Sequence, residues 1–178
     1  MKTVYLFGTA KDQALSFLLR TAFSARGGTM YISGRGICID GAQPAFLLCE
    51  TEHFPQIEPE EGIFALKAGT KTAGRLRIPP GFVAVADADS VAALTLLERQ
   101  HAAAVTCGLS SFDTVTLSSR NGSAAVVSVQ RPIAAPGDVV VEPCEIPVNL
   151  AEGEEPYTVM AACAILLMCG VPESEVLL

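Results

Sequence analysis

Tryptophan is absent from this 178-residue chain, histidine occurs twice, and only 17% of the residues are charged. Basic residues are scarce. Twelve lysines and arginines face 19 aspartates and glutamates, a formal net charge of −7. A surface of that sign repels a nucleic-acid duplex and an anionic bilayer alike, so neither is expected as a partner. Long apolar runs are also missing: the longest, Val159 to Met168, has ten residues where a bilayer span needs about 20, and it reads as a buried helix. The run after Met1-Lys2-Thr3 stops at Gly8, too short for a signal-peptide core, and the expected compartment is cytoplasmic. Six cysteines are present without any C-x-x-C, and no G-x-S-x-G occurs. Zinc and disulfide frameworks are therefore poor fits, and thiols packed as small hydrophobes fit best.

Half of the residues are hydrophobic, which excludes wholesale disorder. A chain of this length buries roughly 70% of its unfolded surface, so a single domain over residues 1–178 is expected. Val4–Phe7 reads as a buried strand ending at Gly8-Thr9. Leu15, Leu18, Leu19, Ala22 and Phe23 fall on one face of a helix closed by Gly27-Gly28. Tyr31–Ile39 alternates around Gly34 and Gly36 like a hairpin. Ala45–Cys49, Ile63–Ala68, Phe82–Ala86 and Ala102–Thr106 are further strand-like runs, and the stretches 51–62 and Gly69–Pro80 read as loops. Ser90 caps a helix predicted over Val91–Arg99.

Strand alternating with helix over about residues 1–110 predicts an α/β fold with a mainly parallel sheet. From about 112 to 148 the grammar is antiparallel. Thr114–Ser118 and Ala124–Gln130 flank an Asn121-Gly122 turn, and Val139–Val148 reads as one more strand limited by Pro143 and Pro147. A closing helix starts at Pro156, within about 155–169. It has little charge on any face, and mean hydropathy over the chain is +0.41. Such a helix must be covered on several sides, by its own chain or by a second one. On that ground a homodimer or hetero-complex is expected.

Four stretches resemble the central, ATP-binding domain of the Mur ligase and folylpolyglutamate synthase family. Tyr5-Leu6-Phe7-Gly8-Thr9 is similar to the strand entering that family's phosphate loop, and Phe46-Leu47-Leu48-Cys49-Glu50 to its strand ending in a metal-associated glutamate. Val85-Ala86-Asp87-Ala88-Asp89, followed by a helix and Ala104–Leu109, resembles the "V-V-N-A-D-D … I-T-[FY]-G" segment. Met160–Ala164, ending at Gly170-Val171, resembles the family's last helix. The resemblance implies a P-loop-like parallel sheet. For an active member it also implies ATP and magnesium, with Gly8, Thr9 and Lys11 at the nucleotide, Lys11 and Glu50 catalytic, and Glu50, Asp87 and Asp89 on the metal.

This sequence departs from that pattern where nucleotide chemistry resides. A phosphate loop needs glycines whose N–H groups wrap the phosphates, a lysine for the terminal phosphates and a hydroxyl for magnesium. In Gly8-Thr9-Ala10-Lys11-Asp12-Gln13, Lys11 stands where the second glycine belongs, Asp12 where the lysine belongs, and Gln13 replaces the hydroxyl. The family's histidine segment has no counterpart in Ile63–Leu76, and H-N-x-x-N aligns with Glu154–Thr158 without a match. The family's flanking domains do not fit within this length. The expectation is a non-catalytic, Mur-ligase-like interaction or regulatory module with no cofactor. The alternatives are a reduced or split acyl-phosphate ligase, and a small-ligand or divalent-metal binder using the carboxylates near Glu50, Glu52, His53, Asp87 and Asp89. Cys107, after an apolar strand, is a nucleophile candidate with no assignable histidine base. His101 reads as a surface residue at a helix end.

Overall fold

The structure, a computed structural model, describes residues 1–53, 59–71, 76–150 and 153–176. In chain order the elements are β1 (Lys2–Phe7), α1 (Ala14–Ser24), β2 (Thr29–Ser33), β3 (Gly36–Ile39), β4 (Phe46–Thr51), β5 (Gly62–Leu66), β6 (Phe82–Asp87), α2 (Val91–Gln100), β7 (Ala104–Gly108), β8 (Val115–Asn121), β9 (Ala124–Val129), β10 (Ile133–Ala135), β11 (Val139–Val141), β12 (Cys144–Asn149) and α3 (Pro156–Met168). A ten-stranded sheet has the order β12-β9-β8-β7-β6-β5-β1-β4-β2-β3. Its interior, from β2 to β8, is parallel; β3 at one edge pairs antiparallel with β2, and at the other edge β9 pairs antiparallel with both β8 and β12.

Side chains alternate between the two faces of the sheet. Val4 and Leu6 of β1, Phe46 and Leu48 of β4, and Ile63 and Ala65 of β5 lie on the face covered by α1 and α3. Tyr5, Phe7, Phe64, Phe82 and Ala84 point to the other face, under α2. Phe23 stacks on Phe46 with ring centroids 4.1 Å apart and anchors α1. Ser90 caps α2 as expected, its Oγ accepting from the Ala93 N–H at 3.3 Å.

Three readings change. The hairpin after Gly108 joins the main sheet: β8 pairs in parallel with the last two residues of β7, so the antiparallel strands extend it. Because β8 begins where β7 ends, six residues suffice for a parallel connection that usually needs a dozen or more. A small antiparallel β appendage in the C-terminal half is present as the two-stranded sheet β10–β11. Val139–Val148 is two strands, split at Glu142-Pro143 because proline cannot supply a ladder N–H. Ile63–Ala68 ends early, at Leu66, where the chain turns and Lys67 dips inward. The loops predicted over 51–62 and 69–80 fall partly outside the described residues.

Helix α3 is buried on every side, from Tyr157 through Met168. Its cover comes from α1 and from β6 through β11 of the same chain. The apolar circumference that prompted the expectation of a second chain is thus accounted for within one. Among the described residues no helix is long and apolar enough to cross a membrane.

Candidate functional site

In an open α/β sheet, ligands gather at the carboxyl ends of the strands where successive connections leave in opposite directions. Here that place lies between β1 and β5. The chain leaves β1 toward α1 on one face; it leaves β5 toward Leu76 and Ile78, which pack with α2 on the other. The β1 exit is the Gly8–Gln13 turn, the stretch that resembles the entry to a phosphate loop in sequence.

The underside of this turn is filled by the chain's own charge. Lys67 lies just past β5 and Glu50 near the end of β4, flanking β1 on the same face of the sheet. The Lys67 ammonium donates to Glu50 Oε1, to the carbonyl of Thr9 at 3.0 Å and to the carbonyl of Asp12. Glu50 Oε2 accepts from the Tyr31 hydroxyl. Lys67 is 0% and Glu50 3% exposed in their side chains, so this ion pair is sealed from water. All three ammonium protons have acceptors, the condition under which such a pair survives burial. Gly8 makes room for it: a Cβ there would lie 2.7 Å from Lys67 Cβ and 2.6 Å from Thr70 Oγ1. Burial, then the bond to Glu50, raises the pKa of Tyr31, which keeps its proton in place as a donor.

The outer surface of the turn is latched as well. The Ala10 N–H donates to Glu52, whose carboxyl is held below its ordinary range by that bond first and by the Thr9 hydroxyl second. Asp12 Oδ1 accepts from the Ala14 N–H at 3.1 Å and so serves the start of α1. Thr9 and Lys11 are exposed.

The remaining predicted residues do not converge. Strands β1 and β5 separate Glu50 from Asp87, and three strand spacings of about 4.8 Å put them roughly 14 Å apart. Asp87 Oδ1 accepts from the Asp89 N–H at 2.9 Å, closing the turn into α2, and Asp89 is exposed. Among the described residues no three His, Cys, Asp or Glu side chains are grouped to hold a metal. Asp87 is instead within electrostatic reach of Glu155 at the start of α3. The Glu155 pKa is raised by partial burial first and then by the charges of Asp87 and Asp12. Behind them, the Tyr157 hydroxyl donates to the Leu66 carbonyl.

Cys107 is fully buried and its pKa is raised, chiefly by desolvation, so the thiol is no nucleophile. Burial pushes Cys163 and Cys169 up to about 12 and Cys144 to about 11. His101 ends α2 in the left-handed conformation, at φ 50°, on the surface.

Sequence reasoning missed Lys67, Tyr31 and a crevice beside them. Ala10, Gln13, Tyr31, Arg35, Glu52 and His53 help line a cavity of about 310 Å³. A second, of about 290 Å³, shares Gln13, Tyr31 and Arg35 with it and runs between α1 and β3. A lone lysine after an apolar strand carries no motif. Its only sequence signal is a cation directly following the fully buried run Gly62–Leu66.

No protein-family model matches the chain, and no curated protein matches it. Solved structures do. MurF from Acinetobacter baumannii superposes with a TM-score of 0.62 at 13% identity, covering 99% of this chain and 44% of that one. The MurF ligase from Thermotoga maritima in complex with ADP gives 0.56 at 11%, covering 98% and 47%. The UDP-N-acetylmuramate:L-alanyl-gamma-D-glutamyl-meso-diaminopimelate ligase from Neisseria meningitides gives 0.59 at 11%, covering 98% and 63%. The molecule is therefore a Mur-ligase-like α/β domain. At these identities the likeness is one of fold, and the chain spans about half the length of the enzymes it resembles.

Proposed function

We propose that this domain keeps the Mur-ligase architecture without its nucleotide chemistry and acts as a non-catalytic interaction or regulatory module whose partner is another protein chain. One observation carries the reading. The ammonium beneath the β1–α1 turn is Lys67, and it is used up on Glu50 and on the Thr9 and Asp12 carbonyls. In a working phosphate loop the backbone presents N–H groups and a free cation to the anion. Here two of the turn's carbonyls point inward at a cation that has no exposed surface.

The electrostatics agree. Glu155 feels the charges of both Asp87 and Asp12 at this rim, where a polyphosphate would add charge of the same sign. Because the rim is largely solvated, each such repulsion is modest. The ligase alternative asks Glu50 to serve a metal, and Glu50 already has Lys67 and Tyr31 as partners.

Titration calorimetry of the intact chain with Mg-ATP tests the reading. The expected result is no saturable heat up to about 1 mM nucleotide. A micromolar dissociation constant, about −8 kcal/mol of binding, overturns it. ADP release with an amino-acid acceptor, abolished by Glu50→Ala, would establish the ligase instead.

A further inference from the structure

The two edges of the ten-stranded sheet are finished differently. On β12 the Leu150 N–H donates to the Ser123 carbonyl at 2.7 Å, so even-numbered residues bond inward to β9. Pro147 therefore lies at an outward-bonding position of the last strand, where proline blunts an edge against further pairing. Strand β3 has no such guard. Thr29 and Asp40 exchange both backbone hydrogen bonds, at 3.0 and 2.9 Å. By alternation Cys38 and Gly36 also bond inward to β2, which leaves the N–H and C=O groups of Ile37 and Ile39 facing outward. Among the described residues no strand pairs with them. Both side chains are bare too, Ile37 68% and Ile39 59% exposed.

Beside this edge lies the 290 Å³ cavity, on the face where Cys38 points. Ser16, Phe17, Arg20, Tyr31 and Arg35 help line it. The Arg20 guanidinium sits 4.4 Å from the centre of the Tyr31 ring, with Nη2 3.9 Å from Cys38 Sγ. Arg35 is exposed at the tip of the β2–β3 hairpin. Two arginines thus share one cavity in a chain of net charge −7.

We infer that β3 is the docking edge for an extended peptide of another protein, added as an eleventh strand, with one carboxylate side chain entering the Arg20–Arg35 cavity. Strand addition draws its affinity from backbone bonds and its selectivity from alternate side chains. The residues paired with Ile37 and Ile39 bond to their backbone and lay apolar side chains beside theirs. The residue between them, opposite Cys38, points to the arginine face, where a carboxylate forms a charge-assisted bond. A second copy of this chain fits less well. A two-fold axis through Cys38 would bring both Arg20 side chains together, between molecules that already repel.

This inference rests on the interaction-module reading and gives it a partner chemistry. The probe is the synthetic peptide acetyl-Lys-Thr-Ile-Glu-Ile-Thr-Lys-amide, titrated against the intact chain by isothermal calorimetry. We expect saturable binding, weakened about tenfold or more when the two Ile amides are N-methylated, and by a similar factor when Gln replaces the Glu. Both changes are in the peptide, so the protein's folding is not at issue. Ile39→Pro, which removes an outward N–H and the exposed side chain but no bond to β2, is expected to abolish binding while leaving the circular dichroism unchanged. Absence of saturation up to about 1 mM overturns the proposal, as does binding indifferent to N-methylation or to the Glu-to-Gln change. Sedimentation as a dimer that Ile39→Pro disperses also overturns it, because the edge then belongs to a second copy. The Mg-ATP titration reads the underlying proposal separately: nucleotide binding with peptide binding intact sinks that one alone, and the reverse pattern sinks only this one.

Discussion

Two regions of this molecule are equally dry and opposite in character. Helix α3 is buried because it carries no charge from Pro156 to Met168. The Lys67–Glu50–Tyr31 cluster is buried although it carries two charges, because each ammonium proton and both carboxylate oxygens have partners. Burial here is a matter of satisfied bonds as much as of apolar composition. The first region is held by the number of its contacts and the second by their completeness, so they should fail in different ways.

The sharpest way to break the comparison is to put an ammonium where it has no partner. Ala162→Lys, at a fully buried site of α3, should leave no folded protein at pH 7 by circular dichroism. An unpaired buried ion costs several kcal/mol against a total stability of about 5–15. A cooperatively folded Ala162→Lys protein would mean that α3 is less sealed than described.

Next comes Lys67→Met, which strands the Glu50 carboxylate and should cost about 3–5 kcal/mol in urea titrations at pH 7. Adding Glu50→Leu should recover most of that loss, since an apolar pair of similar volume is often neutral or better. Two single-site losses that simply add would show that the charges do not act as a pair. In α3 the matching change is Leu166→Ala, expected to cost about 2–5 kcal/mol with no such rescue at a second site.

The smallest effect concerns the acidic rim. Glu155 has a raised pKa in the fold, so its contribution to stability is fully present below the unfolded value near 4.3 and is lost as pH rises through the folded one. Glu155→Gln should therefore stabilise the protein above about pH 5 by only a few tenths of a kcal/mol, the site being largely solvated. The difference in melting temperature between the two proteins should shrink toward pH 4. A difference that widens on acidification would contradict the like-charge environment of Asp12 and Asp87.

Much of the fold was legible in the residues. The apolar runs gave β1, β4, β6 and β7, the i, i+3, i+4 spacing gave α1, and Asn121-Gly122 gave the β8–β9 turn, because those signals are local. The division of Val139–Val148 and the merging of the hairpin into the main sheet depended on which strands met, which no window along the chain contains. The candidate site was half visible. That a carboxylate, Asp12, stands in the turn after β1 is a fact of sequence. That it accepts from the Ala14 N–H at the start of α1, while a lysine 55 residues away supplies a cation from below, is not.

Amino-acid order alone determined that the chain would bury a parallel core and an uncharged closing helix, since solvent exclusion follows from the spacing of apolar side chains. Tertiary structure alone decided that Lys67 would be spent inside the turn, that α3 would be covered by elements of its own chain, and that no strand among the described residues would pair outside Ile37 and Ile39. Each of those depends on which backbone groups remain unpaired after the strands are ordered, and that ordering joins residues distant along the chain.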